Sequence, residues 1–276
     1  MTLYHYCSVN TFFSIINSGE VRLSHLNMSN DTLEGRWAQR RLIEASLKCG
    51  LQHKYKEAFE NYLNSFVDLW GGLGFCLSKE ADMLSQWRAY ADNGCGFAIG
   101  FNPSQLIDAV RKSVPSAQLL TVEYDENRQI NSLTRLAAEL TRIVNEGAFE
   151  PLRFNLSSND DLGNERHAIK ALRQSLEHMT PRLRPFMYSM KHPSFREEKE
   201  MRIFSFFDYD SEEVKFQPSL LKLTPYRSVK IGYVQGLIQE IIVGPRNITP
   251  RLPVEVFLRR SLKADVDVRF SEVPYR

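Results

Sequence analysis

The sequence predicts an α+β protein, and three features of its pattern carry that prediction. Strand-like runs are short, rich in β-branched and aromatic residues, and bounded by turn formers, as in Leu3–Cys7 and Ile203–Phe207. Helical patterns fall between these runs irregularly, rather than one after every strand. In the second half, runs near Val214–Gln217, Tyr226–Ile231 and Glu240–Val243 follow one another without a helix, which suits antiparallel pairing better than a doubly wound sheet. We read residues 1–276 as a single α+β domain, with the helical stretch at about 126–185 as an insertion or subdomain.

The elements follow in order. Leu3–Cys7 reads as the first strand. Ser8 can cap a short helix over Val9–Asn17, whose apolar residues are Phe12, Phe13, Ile15 and Ile16, and Gly19 is placed to close it. Glu20–Ser24 returns as a strand. Leu33–Lys48 and Lys54–Leu69 read as helices, the second with Tyr55, Phe59, Tyr62, Leu63 and Phe66 on one stripe. Gly71, Gly72 and Gly74 open a strand over Leu73–Ser78. A short helix bears Trp87 and Tyr90, Asn93-Gly94 marks a turn, and Cys95–Phe101 is again a strand. Asn102-Pro103 starts the next helix, with Pro at its first turn. Leu119–Tyr124 reads as a strand. Leu133–Asn145 and Arg166–Met179 read as amphipathic helices joined by a polar loop, with Pro181 and Pro185 ending the helical region. Pro253–Ser261 looks helical and Val266–Phe270 alternates like an edge strand.

Composition excludes several classes. A hydrophobic share of 43% and a charged share of 25% are those of a globular chain, not of a disordered one. A net charge of +2 gives no case for nucleic acid by itself. The four cysteines (Cys7, Cys49, Cys76, Cys95) contain no C-x-x-C, so neither a zinc ribbon nor a disulfide framework is indicated, and Cys76 and Cys95 read as small buried residues. Tyr4-His5-Tyr6 interrupts any apolar leader, and no run approaches the roughly 20 apolar residues of a membrane helix. The expectation is a cytoplasmic protein with no membrane partner; homo-oligomerisation is left open. No G-x-G-x-x-G, G-x-x-x-x-G-K-[ST], H-E-x-x-H or G-x-S-x-G is present.

The densest chemistry lies in Pro193–Phe207, a charged loop that becomes an apolar strand. Alternation would send Glu198, Glu200 and Arg202 to one face and Lys199, Met201 and Ile203 to the other. Two carboxylates so close should push one carboxyl upward in pKa. The plainer explanation is an exposed Glu–Arg pair at a strand start. On the first strand, His5 faces away from Tyr4 and Tyr6, and a histidine there is more often a packed core residue than a catalytic one. Trp87 and Tyr90, three apart on a helix, are either core or an aromatic wall for a flat ligand. Asn30-Asp31-x-x-Glu34 reads as a capping box before it reads as a metal site. Arg246, Arg251, Arg259 and Arg260 read as a solvated face before a phosphate site.

Taken together, Leu3-Tyr4-His5-Tyr6, Ser24, Asn30-Asp31-x-x-Glu34, Phe75-x-x-Ser78, Trp87-x-x-Tyr90-Ala91, Gly96-x-x-Ile99-Gly100-Phe101 and Glu198-x-Glu200-x-Arg202 resemble a bacterial family, domain of unknown function 2971, over Leu3 to about Gly244. More remotely, a first-strand histidine, a serine after a middle strand and a late strand glutamate resemble the ADP-ribosyltransferase pattern. That resemblance implies two packed, mostly antiparallel sheets with peripheral helices, and NAD as substrate. It implies His5 on the NAD ribose, Ser78 supporting the pocket with Tyr90 as its aromatic, and Glu200 facing the ribosyl cation with Glu198 two residues before it. Tyr6, Trp87 and Arg202 complete the cofactor-binding set. The pattern departs from that superfamily at Ser78, which is followed by Lys79 rather than completing a Ser-Thr-Ser triplet.

The expected function is therefore ADP-ribosyl transfer or NAD glycohydrolysis on NAD or a related nucleotide. The acceptor would be a protein or nucleic acid, in a role such as phage defence or toxicity. Two alternatives remain: a non-catalytic nucleotide- or protein-binding module, and a metal-dependent nuclease using Asp31, Glu34, Glu198 and Glu200.

Overall fold

The structure, a computed structural model, describes residues 1–28, 35–69, 71–151, 160–207, 209–218 and 221–275, with the side chains of 66–69 and 160–165 set aside. The chain forms two compact units. The first comprises residues 1–28, 71–122 and 194–276, and the second residues 29–70 and 123–193. The helical stretch expected at about 126–185 falls in the second unit.

Among the described residues, the first unit is built on one ten-stranded sheet. Its strands are β1 (Leu3–Cys7), β2 (Glu20–His25), β3 (Gly71–Ser78), β4 (Phe97–Phe101), β5 (Gln118–Thr121), β6 (Glu200–Phe207), β7 (Lys215–Pro218), β8 (Leu223–Lys230), β9 (Ile238–Val243) and β10 (Asp267–Phe270). Two packed sheets were expected, and the difference has a definite origin in β3. One edge of β3 pairs with β6 along its whole length, from Gly71↔Phe207 to Ser78↔Glu200. The other edge is shared: β1 meets it at Tyr4↔Ser78, and β2 meets it at Ser24↔Gly74 and His25↔Leu73. The sheet therefore branches. From β1 it continues through β4 and β9 to β10, and from β2 through β8 to β7. Among the described residues every strand pairing is antiparallel except that of β10 on β9.

Alternation then sorts the side chains. Leu3 and Cys7 on β1, Leu73, Phe75 and Leu77 on β3, Phe97, Ile99 and Phe101 on β4, and Met201, Ile203 and Phe207 on β6 enter one large core. Helices α1 (Val9–Ser18), α5 (Pro103–Arg111) and α8 (Arg251–Leu262) contribute Phe12, Ile15 and Ile16, then Leu106, Ile107 and Val110, then Val254 and Leu258 to it. Phe12 stacks on Phe97 with ring centroids 4.0 Å apart, and burying such a ring stabilises by about 1.5–3 kcal/mol. A smaller cluster on the opposite face joins Tyr4, Tyr6, Ala98 and Ile242 to Trp87 and Ala91, Trp87 coming from α4 (Leu84–Tyr90).

The local signals hold. Ser8 Oγ accepts the Thr11 N–H at 3.1 Å, and Gly19, at φ 65°, returns its own N–H to Ile15. Asn102 Oδ1 accepts from the Ser104 and Gln105 amides, with Pro103 at the first turn. The glycines of β3 are part of the strand itself. A β-carbon on Gly71 would sit 2.0 Å from the Phe207 ring, and one on Gly74 2.6 Å from Leu26. Cys76 was expected inside, but β3 turns Phe75 and Leu77 into the core and so sends Cys76 to the opposite face, where its side chain is exposed.

The second unit packs α2 (Arg36–Lys48), α3 (His53–Leu69), α6 (Glu126–Ile143) and α7 (Asp160–Met187) through Leu42, Phe59, Leu63, Leu136, Leu140, Leu176 and Leu183. Its polar interior is satisfied at Trp37, whose Nε1 donates to Gln129 Oε1 at 3.0 Å. Helix α7 continues through Pro181 and Pro185, where the sequence predicts a break. Buried Met179, Leu183 and Met187 hold it, so side-chain packing outweighs the lost backbone hydrogen bonds. No helix among the described residues is long and apolar enough to cross a membrane.

Candidate functional site

A cavity of about 600 Å³ opens at the branch, where β1 and β2 part along β3. Parting leaves the middle of that β3 edge without a neighbouring strand. His5 fills the gap: its Nδ1 lies 2.9 Å from the Cys76 carbonyl oxygen, and its ring stacks on Phe75 with centroids 4.2 Å apart. A carbonyl only accepts, so Nδ1 carries the proton. Burial pushes the His5 pKa down to about 4, against the smaller opposing effect of the Cys76 hydrogen bond. The ring is therefore neutral near pH 7, and Nε2 is the nitrogen left with a lone pair to accept a hydrogen bond.

The facing wall comes from α1 and from the polar faces of β2, β8 and β7. On β2, Val21 and Leu23 are buried while Glu20, Arg22 and Ser24 line the cavity. Glu20, among the described residues the one acidic side chain of the lining, accepts from Ser228 Oγ at 2.6 Å. Arg22 donates to Gln217 Oε1 at 2.7 Å and lies over the Tyr226 ring, 4.8 Å from its centroid. Lys215 is the cross-strand partner of Tyr226. The sequence reading missed Glu20, Arg22, Lys215 and Tyr226. The strict alternation Glu20-Val21-Arg22-Leu23-Ser24 was the available signal, but it looks the same for a solvated sheet face.

The other expected site residues gather elsewhere. Tyr4 pairs with Ser78 and Ser78 with Glu200, so these side chains share one face of the sheet, and His5 points to the other. His5, Ser78 and Glu200 were expected to converge; the register separates His5 from the pair. Glu200 and Arg202 do share a face and form a two-pronged ion pair at 2.9 and 2.7 Å, with side chains 5% and 1% exposed. Glu198 was expected to continue that row. Instead it ends a 3₁₀ turn (Pro193–Glu198), and Lys199, at φ 42°, interrupts the extended backbone before β6 begins. Glu198 accepts from Tyr90 Oη at 2.6 Å through its carboxylate and from Ser78 Oγ at 2.7 Å through its carbonyl.

Tyr6 donates to the Glu80 carbonyl and meets the Trp87 ring edge-on. Trp87 is fully buried, with Nε1 donating to Asp82 Oδ1 at 2.6 Å, so its ring is a core group here. Asn30, Asp31 and Glu34 lie outside the described residues. Among the described residues no three His, Cys, Asp or Glu side chains are grouped to hold a metal ion. Arg251 and Arg259 pair with Glu255 and Asp265 on an exposed helix face.

Fold and site together define an α+β protein with a polar cleft at the branch point of its sheet. Residues 86–203 match the model of the family described as a protein of unknown function (DUF2971), so the resemblance read from the ordered motifs holds over that span. Trp87, Tyr90, Gly96, Gly100, Glu198, Glu200 and Arg202 lie inside the match; His5 and the β2 wall of the cleft lie outside it. No curated protein and no solved structure matches the chain.

Proposed function

We propose that the chain binds NAD or a related nucleotide in the cleft at the branch of the sheet and acts on it as an ADP-ribosyltransferase-like enzyme. One observation carries this reading: His5 is held as a neutral imidazole, backed by Phe75, in the lining of a cavity of about 600 Å³. Such an acceptor suits a ribose hydroxyl, and the volume lies within the range of small-molecule and cofactor sites. Breaking the nicotinamide–ribose bond builds positive charge on the ribose carbon, as in glycoside cleavage, and a placed carboxylate stabilises that charge. In this cleft the carboxylate is Glu20, oriented by Ser228. We give Glu20 the role that the resemblance assigns to Glu200. The four free cysteines fit a reducing, cytoplasmic setting, and a protein or nucleic-acid acceptor, with a role in phage defence or toxicity, belongs to the same proposal.

The test is calorimetry with NAD joined to a measurement of free nicotinamide. Wild type binds NAD and releases nicotinamide. His5→Ala loses binding, and Glu20→Gln keeps binding but loses release. Binding without release, with an acceptor extract added, turns the reading into that of a non-catalytic nucleotide module. Absence of NAD binding ends it.

A further inference from the structure

We propose that the Arg22–Lys215 end of the cleft is a phosphate subsite, so that the ligand class is a nucleotide carrying a diphosphate. The inference rests on the branch cleft being the ligand site, as in the NAD reading, but on a different set of residues. Arg22 and Lys215 come from the two strands that flank β8 on either side of Tyr226. Arg22 lies over it, and Lys215 is its cross-strand partner on β7. Neither cation pairs with a carboxylate among the described residues, although carboxylates pair with cations over much of the remaining surface.

Two cations on the strands either side of β8, both in the lining of one cleft, repel each other and gain nothing from being adjacent unless an anion joins them. The guanidinium is already positioned: Gln217 takes one Nη, and the Tyr226 face fixes the plane. The remaining donors of a planar fork suit the paired oxygens of a phosphate, and a lysine beside it supplies a second point charge. Glu20 does not compete for this place. It lies beyond Arg22 on β2, next to the end of α1, where Ser228 engages it and the Ser18 hydroxyl accepts its backbone N–H. Ser228 stands opposite Arg22, and Ser24 opposite Tyr226, in the same lining. A ligand with its phosphates at Arg22 and Lys215 would extend its sugar toward His5 and Phe75.

The experiment is calorimetry on the full chain with four probes: inorganic pyrophosphate, ADP-ribose, NAD and adenosine. Pyrophosphate and ADP-ribose are expected to bind, adenosine at least tenfold more weakly than ADP-ribose. Arg22→Gln and Lys215→Gln should each weaken ADP-ribose by about tenfold or more, the scale of removing one charge-assisted hydrogen bond, and binding should weaken as salt rises. Thermal unfolding of the free variants should match wild type, since neither cation is engaged with an acid. Adenosine binding as tightly as ADP-ribose overturns the subsite, as does unchanged ADP-ribose affinity in both variants. Pyrophosphate and ADP-ribose binding without NAD binding leaves the subsite standing and removes the NAD reading. NAD binding that is indifferent to both variants does the reverse. If none of the four binds, both fall.

Discussion

Replacing Glu200 by Gln keeps the shape of the side chain and removes its charge, and the consequence should be instability rather than a clean loss of chemistry. In the native protein the Arg202 guanidinium is 1% exposed and gives Nε and Nη2 to the two Glu200 oxygens at 2.9 and 2.7 Å. A guanidinium does not shed its proton, so the variant sets a neutral amide where the buried cation now meets a carboxylate. Removing one partner of a buried pair costs about 3–5 kcal/mol. The amide oxygen still accepts one of the two hydrogen bonds, which places the expectation near 3 kcal/mol, the low end of that range. For a unit of this size that is a fall in Tm of about 6–12 °C. Urea and thermal unfolding of Glu200→Gln, Arg202→Met and the double variant Glu200→Leu with Arg202→Met measure it. Each single change should cost about 3 kcal/mol or more, and the double change less than their sum, because both members of the pair are then removed together. Glu200→Gln unfolding within about 0.5 kcal/mol of wild type, the range of an ordinary surface change, would refute this account. Joined to lost nicotinamide release, it would return Glu200 to the catalytic role suggested by the resemblance.

Three further outcomes are expected. Burial holds His5 and His25 at pKa values of about 4, below the ordinary 6.5, so the unfolded chain binds protons that the folded chain refuses. Their stabilisation is complete above pH 6.5 and is lost as pH falls toward 4, each adding a slope of up to about 1.4 kcal/mol per pH unit. Urea titrations at pH 7, 6 and 5 should show this, and a variant with both histidines changed to Gln should show a flatter dependence. Asp82 collects Trp87 Nε1, Ser271 Oγ and the Glu272 N–H at 2.6, 2.6 and 2.7 Å; Asp82→Ala should cost about 2–3 kcal/mol and make the segment after Ser271 the first site of limited proteolysis. A β-carbon on Gly96 would sit 2.0 Å from the Cys7 carbonyl oxygen, so Gly96→Ala should destabilise by about 3 kcal/mol or more by forcing backbones apart, read as a lower urea midpoint.

Signals that act within a few residues were legible in the sequence. The Ser8 cap, the Gly19 stop and the Asn102-Pro103 helix start are each decided by groups that the chain itself brings together. The branch of the sheet was not. It depends on β3 pairing with β1 and β2 on one edge and with β6, more than 120 residues later, on the other, and no local pattern records which strands will be neighbours. Helix α7 shows the same limit, since the prolines argue for a stop and the buried methionines and leucines that overrule them act through distant partners. Trp87 and Tyr90 share a short helix, yet one is fully buried and the other 37% exposed, because the cluster around Tyr6 claims only the first.

The separation of His5 from Ser78 and Glu200 follows from the strand period of two, and the core makes it firm. To bring His5 into the row of Ser78 and Glu200, β1 would have to slip by one residue against β3 and β4. Leu3 and Cys7, now 0% and 3% exposed in the large core, would rotate out to the face of Tyr4 and Tyr6. The Tyr4 hydroxyl would leave Glu240, the Tyr6 hydroxyl would leave the Glu80 carbonyl, and two rings would be driven among Phe75, Phe97 and Phe101. Re-exposing Leu3 alone costs about 1.5–3 kcal/mol, before the stranded hydroxyls are counted. The register is therefore fixed by packing, and it assigns the histidine to the cleft and the glutamate to the buried pair. Any carboxylate that works with His5 has to come from the strands that share its cleft, which is why Glu20 on β2 bears the weight of the catalytic proposal.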